Sequence, residues 1–288
     1  MTHPLISAAD LKTRLAQANL SADTMVVDCR FNLANTEAGE AAWQQGHIPG
    51  ALYAHLDRHL SGTKSGRNGR HPLPDRTDFI ATLRQWGLTP STLVVAYDDA
   101  GGMFAARLWW MLRWVGHEAC AVLDGGWAQW QQADGEVSTS PVASRASSHY
   151  PDAEAQAIHP RGLVMVHEVE AALRNGQPLP LIDARAPDRF AGQNETLDPV
   201  GGHIPGAVNR FFQLNLAHGL FKSPDQLRQE FIALMGQHDA SEVVHQCGSG
   251  VTACHNLLAM EVAGLKGSRL YAGSWSEWCA DSSRPVAV

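Results

Sequence analysis

Glu242-Val243-Val244-His245-Gln246-Cys247-Gly248-Ser249-Gly250-Val251-Thr252-Ala253 is the stretch from which the fold can be read. Its apolar first half predicts a buried strand that delivers Cys247 to its end. The apolar-periodic run from Cys254 to Leu265 predicts the helix that follows. The loop between them is built of small residues, so several backbone N–H groups can turn inward around whatever the sulfur carries. A helix N-terminus beneath such a loop adds partial positive charge. Inward amides and a helix end together favour an anionic sulfur, the condition for a nucleophilic cysteine. The plainer alternative is a cysteine that only fills a strand-to-helix turn, and the amide-rich loop argues against it.

An internal repeat organises the rest of the chain. Val26-Val27-Asp28-Cys29-Arg30 returns as Leu181-Ile182-Asp183-Ala184-Arg185. Gly46-His47-Ile48-Pro49-Gly50-Ala51 returns as Gly202-His203-Ile204-Pro205-Gly206-Ala207. The strand expected to end at Asp98 matches the one ending at Cys247, and Gly125-Gly126-Trp127-Ala128-Gln129-Trp130 matches Gly273-Ser274-Trp275-Ser276-Glu277-Trp278. Each copy alternates short apolar strands with amphipathic helices. That predicts an α/β fold of two tandem domains, each a mostly parallel sheet flanked by helices. The first domain is expected over residues 1–137 and the second over 161–288. Residues 138–160, rich in Ser, Ala and Pro, read as the linker between them. In sheets of this kind sites form at the carboxyl ends of strands, where Cys247 falls.

The repeat also separates an active half from a silent one. Where the second copy has Cys247 the first has Asp98, in Tyr97-Asp98-Asp99-Ala100-Gly101-Gly102, and a carboxylate cannot do the work of a thiolate. The paired Gly-His-Ile-Pro-Gly motifs, with His47 and His203, read as scaffold. Asp28 with Arg30 and Asp183 with Arg185 read as structural pairs. Trp275 is expected in the core beside the site.

A chain of 288 residues, 44% of them hydrophobic, can bury two ordinary cores without help from a cofactor. A formal net charge of −7 argues against a nucleic-acid partner held through phosphates. Five cysteines without paired spacing suit reduced thiols in a cytoplasm rather than a disulfide framework. Cys247, Cys254, His255 and His245 lie close in sequence but lack metal-ligand spacing, so no metal is expected. Met1 to Leu20 reads as an amphipathic first helix (Leu5, Ile6, Leu11, Leu15) and not as a signal peptide. No window reaches membrane-spanning length, so no membrane partner is expected.

These residues resemble the rhodanese superfamily, whose landmarks recur in order along nearly the whole chain. The form Cys247-Gly248-Ser249-Gly250-Val251-Thr252-Ala253 is similar to that of the 3-mercaptopyruvate sulfurtransferases. Thiosulfate sulfurtransferases of the superfamily typically carry Arg and Lys where this chain has Gly248 and Ser249. The resemblance implies sulfur transfer without a cofactor. Cys247 would take sulfur from a small-molecule donor as a persulfide, and a thiol, thioredoxin or cyanide would remove it.

It further implies that Gly248, Gly250, Val251 and Thr252 cradle the substrate and the persulfide. Asp188-Arg189-Phe190 resembles the segment whose arginine binds the donor, so Arg189 is the candidate cation. Mercaptopyruvate enzymes usually carry a second substrate arginine a little further on, whereas Ala191 to Gly202 contains no Arg or Lys. Asp57 and His71 fall at positions similar to an Asp and a His that approach the loop serine, here Ser249, and imply a proton relay. The basic run Lys64, Arg67, Arg70 and His71 would lend positive field. With Gly248 and Ser249 neutral, the loop itself favours mercaptopyruvate over thiosulfate. The alternatives are thiosulfate as the donor, or a persulfide carrier for a partner protein. A cysteine phosphatase would need Cys-x5-Arg, and the sixth residue after Cys247 is Ala253.

Overall fold

Five strands in the first half, β1 (Leu5–Ile6), β2 (Thr24–Asp28), β3 (Leu52–Tyr53), β4 (Leu93–Tyr97) and β5 (Cys120–Leu123), form one sheet in the order β1-β5-β4-β2-β3. All the pairings are parallel. β2 and β4 are buried along their whole length, as parallel strands covered on both faces should be. The computed structural model describes residues 3–142, 146–152 and 162–288.

The second half adds β6 (Leu181–Asp183), β7 (Val208–Asn209), a small antiparallel hairpin of β8 (Leu216–Ala217) and β9 (Leu220–Phe221), β10 (Val244–Gln246) and β11 (Arg269–Leu270). Its main sheet runs β11-β10-β6-β7, again all parallel. A single parallel bridge from Leu163 to Leu270 stands where β1 stands beside β5 in the first sheet. The sequence repeat is thus a repeat of topology, and Cys247 leaves the carboxyl end of β10, a central strand.

The conserved-looking pairs of the repeat turn out to be cross-braces. Arg30 donates to both carboxylate oxygens of Asp28 and to the carbonyl of Gly46 at 2.6 Å. Arg185 does the same to Asp183 and to Gly202 at 2.7 Å. Each guanidinium also lies over an indole, Trp127 at 4.7 Å in one copy and Trp275 at 4.8 Å in the other. These ion pairs are buried, an arrangement in which losing one partner is costly. His47 and His203 bond backbone carbonyls and stack on Trp43 and Phe190, a scaffold role.

The structure departs from the sequence reading in three places. Leu5 and Ile6 are not helical: they pair with Val122 and Leu123, and the helix begins at Ala8, capped by the Ser7 side chain. The chain divides into Met1–Gly62 with Pro74–Ile158, and Thr63–Leu73 with His159–Val288, so an eleven-residue segment of the first half belongs to the second unit. Part of the expected linker, residues 143–145 and 153–160, lies outside the described residues. The described remainder packs on the first unit: Ser138 pairs with His47, and Tyr150 is buried with its carbonyl accepting from Arg84.

Candidate active site

Cys247 is buried, and its Sγ accepts the Gly250 N–H at 3.1 Å. Gly250 adopts φ +77°, and a Cβ there would stand 2.3 Å from the Ala272 carbonyl oxygen, so the loop needs glycine to turn back toward the sulfur. The helix Thr252–Val262 starts directly behind, with Val251 buried at its N-terminal end. The first unit shows what such a loop does with an anion. Asp98 accepts four backbone N–H bonds, from Ala100, Gly102, Phe104 and Ala105, at 2.8–2.9 Å. Its own carboxylate occupies the nest that Cys247 leaves for sulfur.

The segment 273–278 clamps the cysteine loop from below. The Cys247 N–H donates to Ser274 Oγ at 3.1 Å, and the carbonyls of Cys247 and Gly248 accept the Trp275 and Ser276 amides. Ser274 holds φ +56°, where its counterpart in the first unit is Gly126 at φ +55°. A residue with a side chain accepts that strained backbone here, and its hydroxyl fixes the Cys247 amide. Neither Ser274 nor Ser276 was among the residues expected at the site. Substitution of the repeat's glycine by serine was the available signal.

The stray segment Thr63–Leu73 completes the site within the second unit. Gly69, at φ +86°, lies so close to Gly273 that a Cβ would sit 2.8 Å from its carbonyl oxygen. The Arg70 amide then donates to Ser276 Oγ at 3.0 Å, and His71 Nδ1 lies 2.7 Å from Ser249 Oγ, both residues buried. Asp57 sits in the first turn of the helix Leu56–His59, in the first unit. Lys64 and Arg67 are exposed.

Gly248 and Ser249 are themselves neutral, but cations stand against the loop, one of them Arg70 of the basic run named in the sequence. A Cβ built on Gly248 would meet Arg70 Nη2 at 2.7 Å and the Arg189 guanidinium at 3.5 and 3.7 Å. Two cations therefore lie against the residue next to the nucleophile. Arg189 is held by Glu195 through two hydrogen bonds of 3.0 and 2.9 Å. Burial works to raise the Glu195 carboxyl, but Arg189 and the Leu197 and Asp198 amides outweigh it and bring it below its ordinary range. Asp198 reaches Arg189 at 3.4 Å and also pairs with Arg70. The segment after Arg189 supplies no cation, as expected; the second cation comes from Arg70, in another part of the chain.

The other thiols are buried, in different surroundings. Burial, with Asp28 and Asp98 nearby, pushes the Cys29 thiol up, and burial beside Asp198 pushes Cys279 to about 11. Cys254 donates to the Gly250 carbonyl. His245 is driven down to about 3 by burial and faces Met260, while His255 bonds Asn215 and stacks on Phe221. Among the described residues no group of three or more His, Cys, Asp or Glu is arranged to hold a metal ion, and no helix is long and apolar enough to cross a membrane.

A rhodanese-like domain model matches the chain twice, over residues 7–133 and 165–281, the two halves of the repeat. The chain belongs to the rhodanese family. One rhodanese-family relative, named "Probable 3-mercaptopyruvate sulfurtransferase" in Pseudomonas aeruginosa, is 46% identical over 99% of this chain and 98% of its own. A thiosulfate sulfurtransferase of Rattus norvegicus is 31% identical over 95% of this chain and 91% of its own. Among solved structures, the 3-mercaptopyruvate sulfurtransferase from Leishmania major superposes with a TM-score of 0.83 at 30% identity, covering 95% of this chain and 73% of that one. Both kinds of rhodanese-family sulfurtransferase thus lie within reach of this sequence.

Proposed function

We propose that the protein is a sulfurtransferase that takes sulfur from 3-mercaptopyruvate onto Cys247 and passes it to a thiol, thioredoxin or cyanide. The observation that carries this reading is the junction at Gly248. Cys247 precedes it, two guanidinium groups lie where its side chain would begin, and Ser249, whose hydroxyl bonds His71, follows it.

The Cys247 thiolate attacks the donor sulfur, and the donor's C–S bond breaks with its electron pair moving to carbon. The enolate so formed takes a proton to give pyruvate, and the thiol proton of the donor balances it. Ser249 and His71, bonded to one another, stand where they can move that proton. Arg189 binds the donor carboxylate, guanidinium being the best planar match for it. The outer sulfur remains on Cys247 as a persulfide anion stabilised by the Gly250 amide and the helix end, as an oxyanion hole stabilises an alkoxide. An acceptor thiolate then attacks the outer sulfur and releases the Cys247 thiolate, so turnover is ping-pong.

Thiosulfate is a second reading, because the guanidinium pair suits either anion and only the Ser249–His71 pair favours the keto acid. Steady-state kcat/KM for the two donors, with cyanide as common acceptor, decides between them; a higher value for thiosulfate would overturn the mercaptopyruvate assignment. Intact mass after donor treatment should show one added sulfur on the wild type and none on Cys247→Ser. An added sulfur on the variant with turnover retained would remove Cys247 from the mechanism.

A further inference from the structure

Arg70 and Arg189 share a single carboxylate. Asp198 gives one oxygen to Arg70 Nη1 and the other to Arg189 Nη2 at 3.4 Å. The rest of each guanidinium is committed differently. Arg189 has a full bidentate partner in Glu195, itself buried and further held by Arg185 at 3.5 Å. Arg70 turns its second terminal nitrogen toward Gly248, beside the nucleophile. Glu195 is therefore an anchor, whereas Asp198 stands where an incoming carboxylate would seek the same two cations. With both carboxylates ionised, two cations face two anions and the cluster offers an approaching anion little net attraction.

We infer that Asp198 is a resident counter-carboxylate that pairs Arg70 with Arg189 and competes with the anionic donor for them, making Arg70 and Asp198 determinants of donor affinity. The inference rests on the reading of Arg189 as a donor-binding residue. Two observations support it. The Asp198 side chain is only 3% exposed, and burial raises its carboxyl above the ordinary range despite the Arg70 contact. Its charged form is thus held weakly compared with that of Glu195. Arg70 keeps 28% of its side chain accessible, so it can exchange one carboxylate for another without leaving its tether on Ser276.

The test measures anion attraction at Cys247 without relying on sulfur transfer. Iodoacetate and iodoacetamide alkylate a thiolate by the same displacement of iodide, and only the first is an anion. The ratio of their rates at Cys247, followed by intact mass, reports the local field. Asp198→Asn keeps an oxygen for Arg70 while removing the charge, and should raise the ratio roughly tenfold. It should also lower KM for the anionic donor by a similar factor. Arg70→Ala should lower the ratio and raise KM. If Asp198→Asn leaves the ratio unchanged or reduces it, Asp198 only positions its neighbours and the inference is overturned. Should Asp198→Asn fail to fold, an unchanged ratio in Arg70→Ala overturns the inference equally. A ratio that moves as expected in an enzyme that does not use mercaptopyruvate would leave the counter-carboxylate standing and remove the donor assignment alone.

Discussion

Replacing Arg189 by alanine separates two roles that the structure assigns to one side chain. Toward the donor, the variant loses a charge-assisted, bidentate hydrogen-bonded pair, worth about 2–3 kcal/mol. At 1.36 kcal/mol per tenfold, kcat/KM for the donor should fall roughly 30- to 150-fold. Toward the protein, Glu195 loses its principal partner while only 4% of its side chain is exposed. Stripping one member from a buried pair commonly costs about 3–5 kcal/mol. Here the cost should be smaller, about 1–2 kcal/mol, because Glu195 keeps the Leu197 and Asp198 amides and the Arg185 contact. Arg189→Lys should recover part of the activity through charge alone, without the fork geometry. The assay is kcat/KM at limiting donor with cyanide as acceptor, alongside urea unfolding monitored by tryptophan fluorescence. A variant that is less stable yet has unchanged kcat/KM for both donors would show that Arg189 serves Glu195 and not the substrate, and the reasoning would fail.

The proton relay predicts a difference between donors. His71→Asn should slow mercaptopyruvate turnover on the order of 10- to 100-fold while leaving thiosulfate turnover nearly intact, because departing sulfite needs no proton on carbon; equal losses with both donors would refute it. The buried His245 predicts a loss of stability in acid. Its folded pKa, about 3, lies below the ordinary 6.5, so the unfolded chain binds the extra proton and stability falls as pH drops below 6.5. Between pH 6.5 and 5 this amounts to up to about 2 kcal/mol, and the urea midpoint of His245→Leu should fall less over that window than that of the wild type.

The fold could be read from the sequence because its information is local and doubled. Val243 to Gln246 is a short run opened by two valines and bounded by a small-residue loop, and the copy from Leu93 to Tyr97 repeats it in apolar residues. Leu5–Ile6 escaped because two residues carry no period, and their strand character comes wholly from Val122 and Leu123 across the sheet. Cys247, Ser249 and Gly250 announced themselves by adjacency. The electrostatics did not, since Arg70 and Asp198 stand 128 residues apart. Arg70 reads in the sequence only as part of a basic run, and its place against Gly248 follows from the grouping of Thr63–Leu73 with the second unit. Glu195 belongs to no motif of the sequence, yet its two hydrogen bonds hold Arg189 in place.

That return has a consequence for how the protein can be made. Ser249 and the histidine that bonds it are separated by 178 positions, so a ribosome releases Arg70 and His71 long before the loop they serve exists. The nascent first unit must emerge carrying an eleven-residue segment that groups with the second unit, which is not yet made. The duplicated gene is therefore no longer divisible at its middle. A second-copy fragment cut between the copies would hold Cys247 and lack both Arg70 and His71, so on the mechanism proposed above neither copy by itself is a complete catalyst.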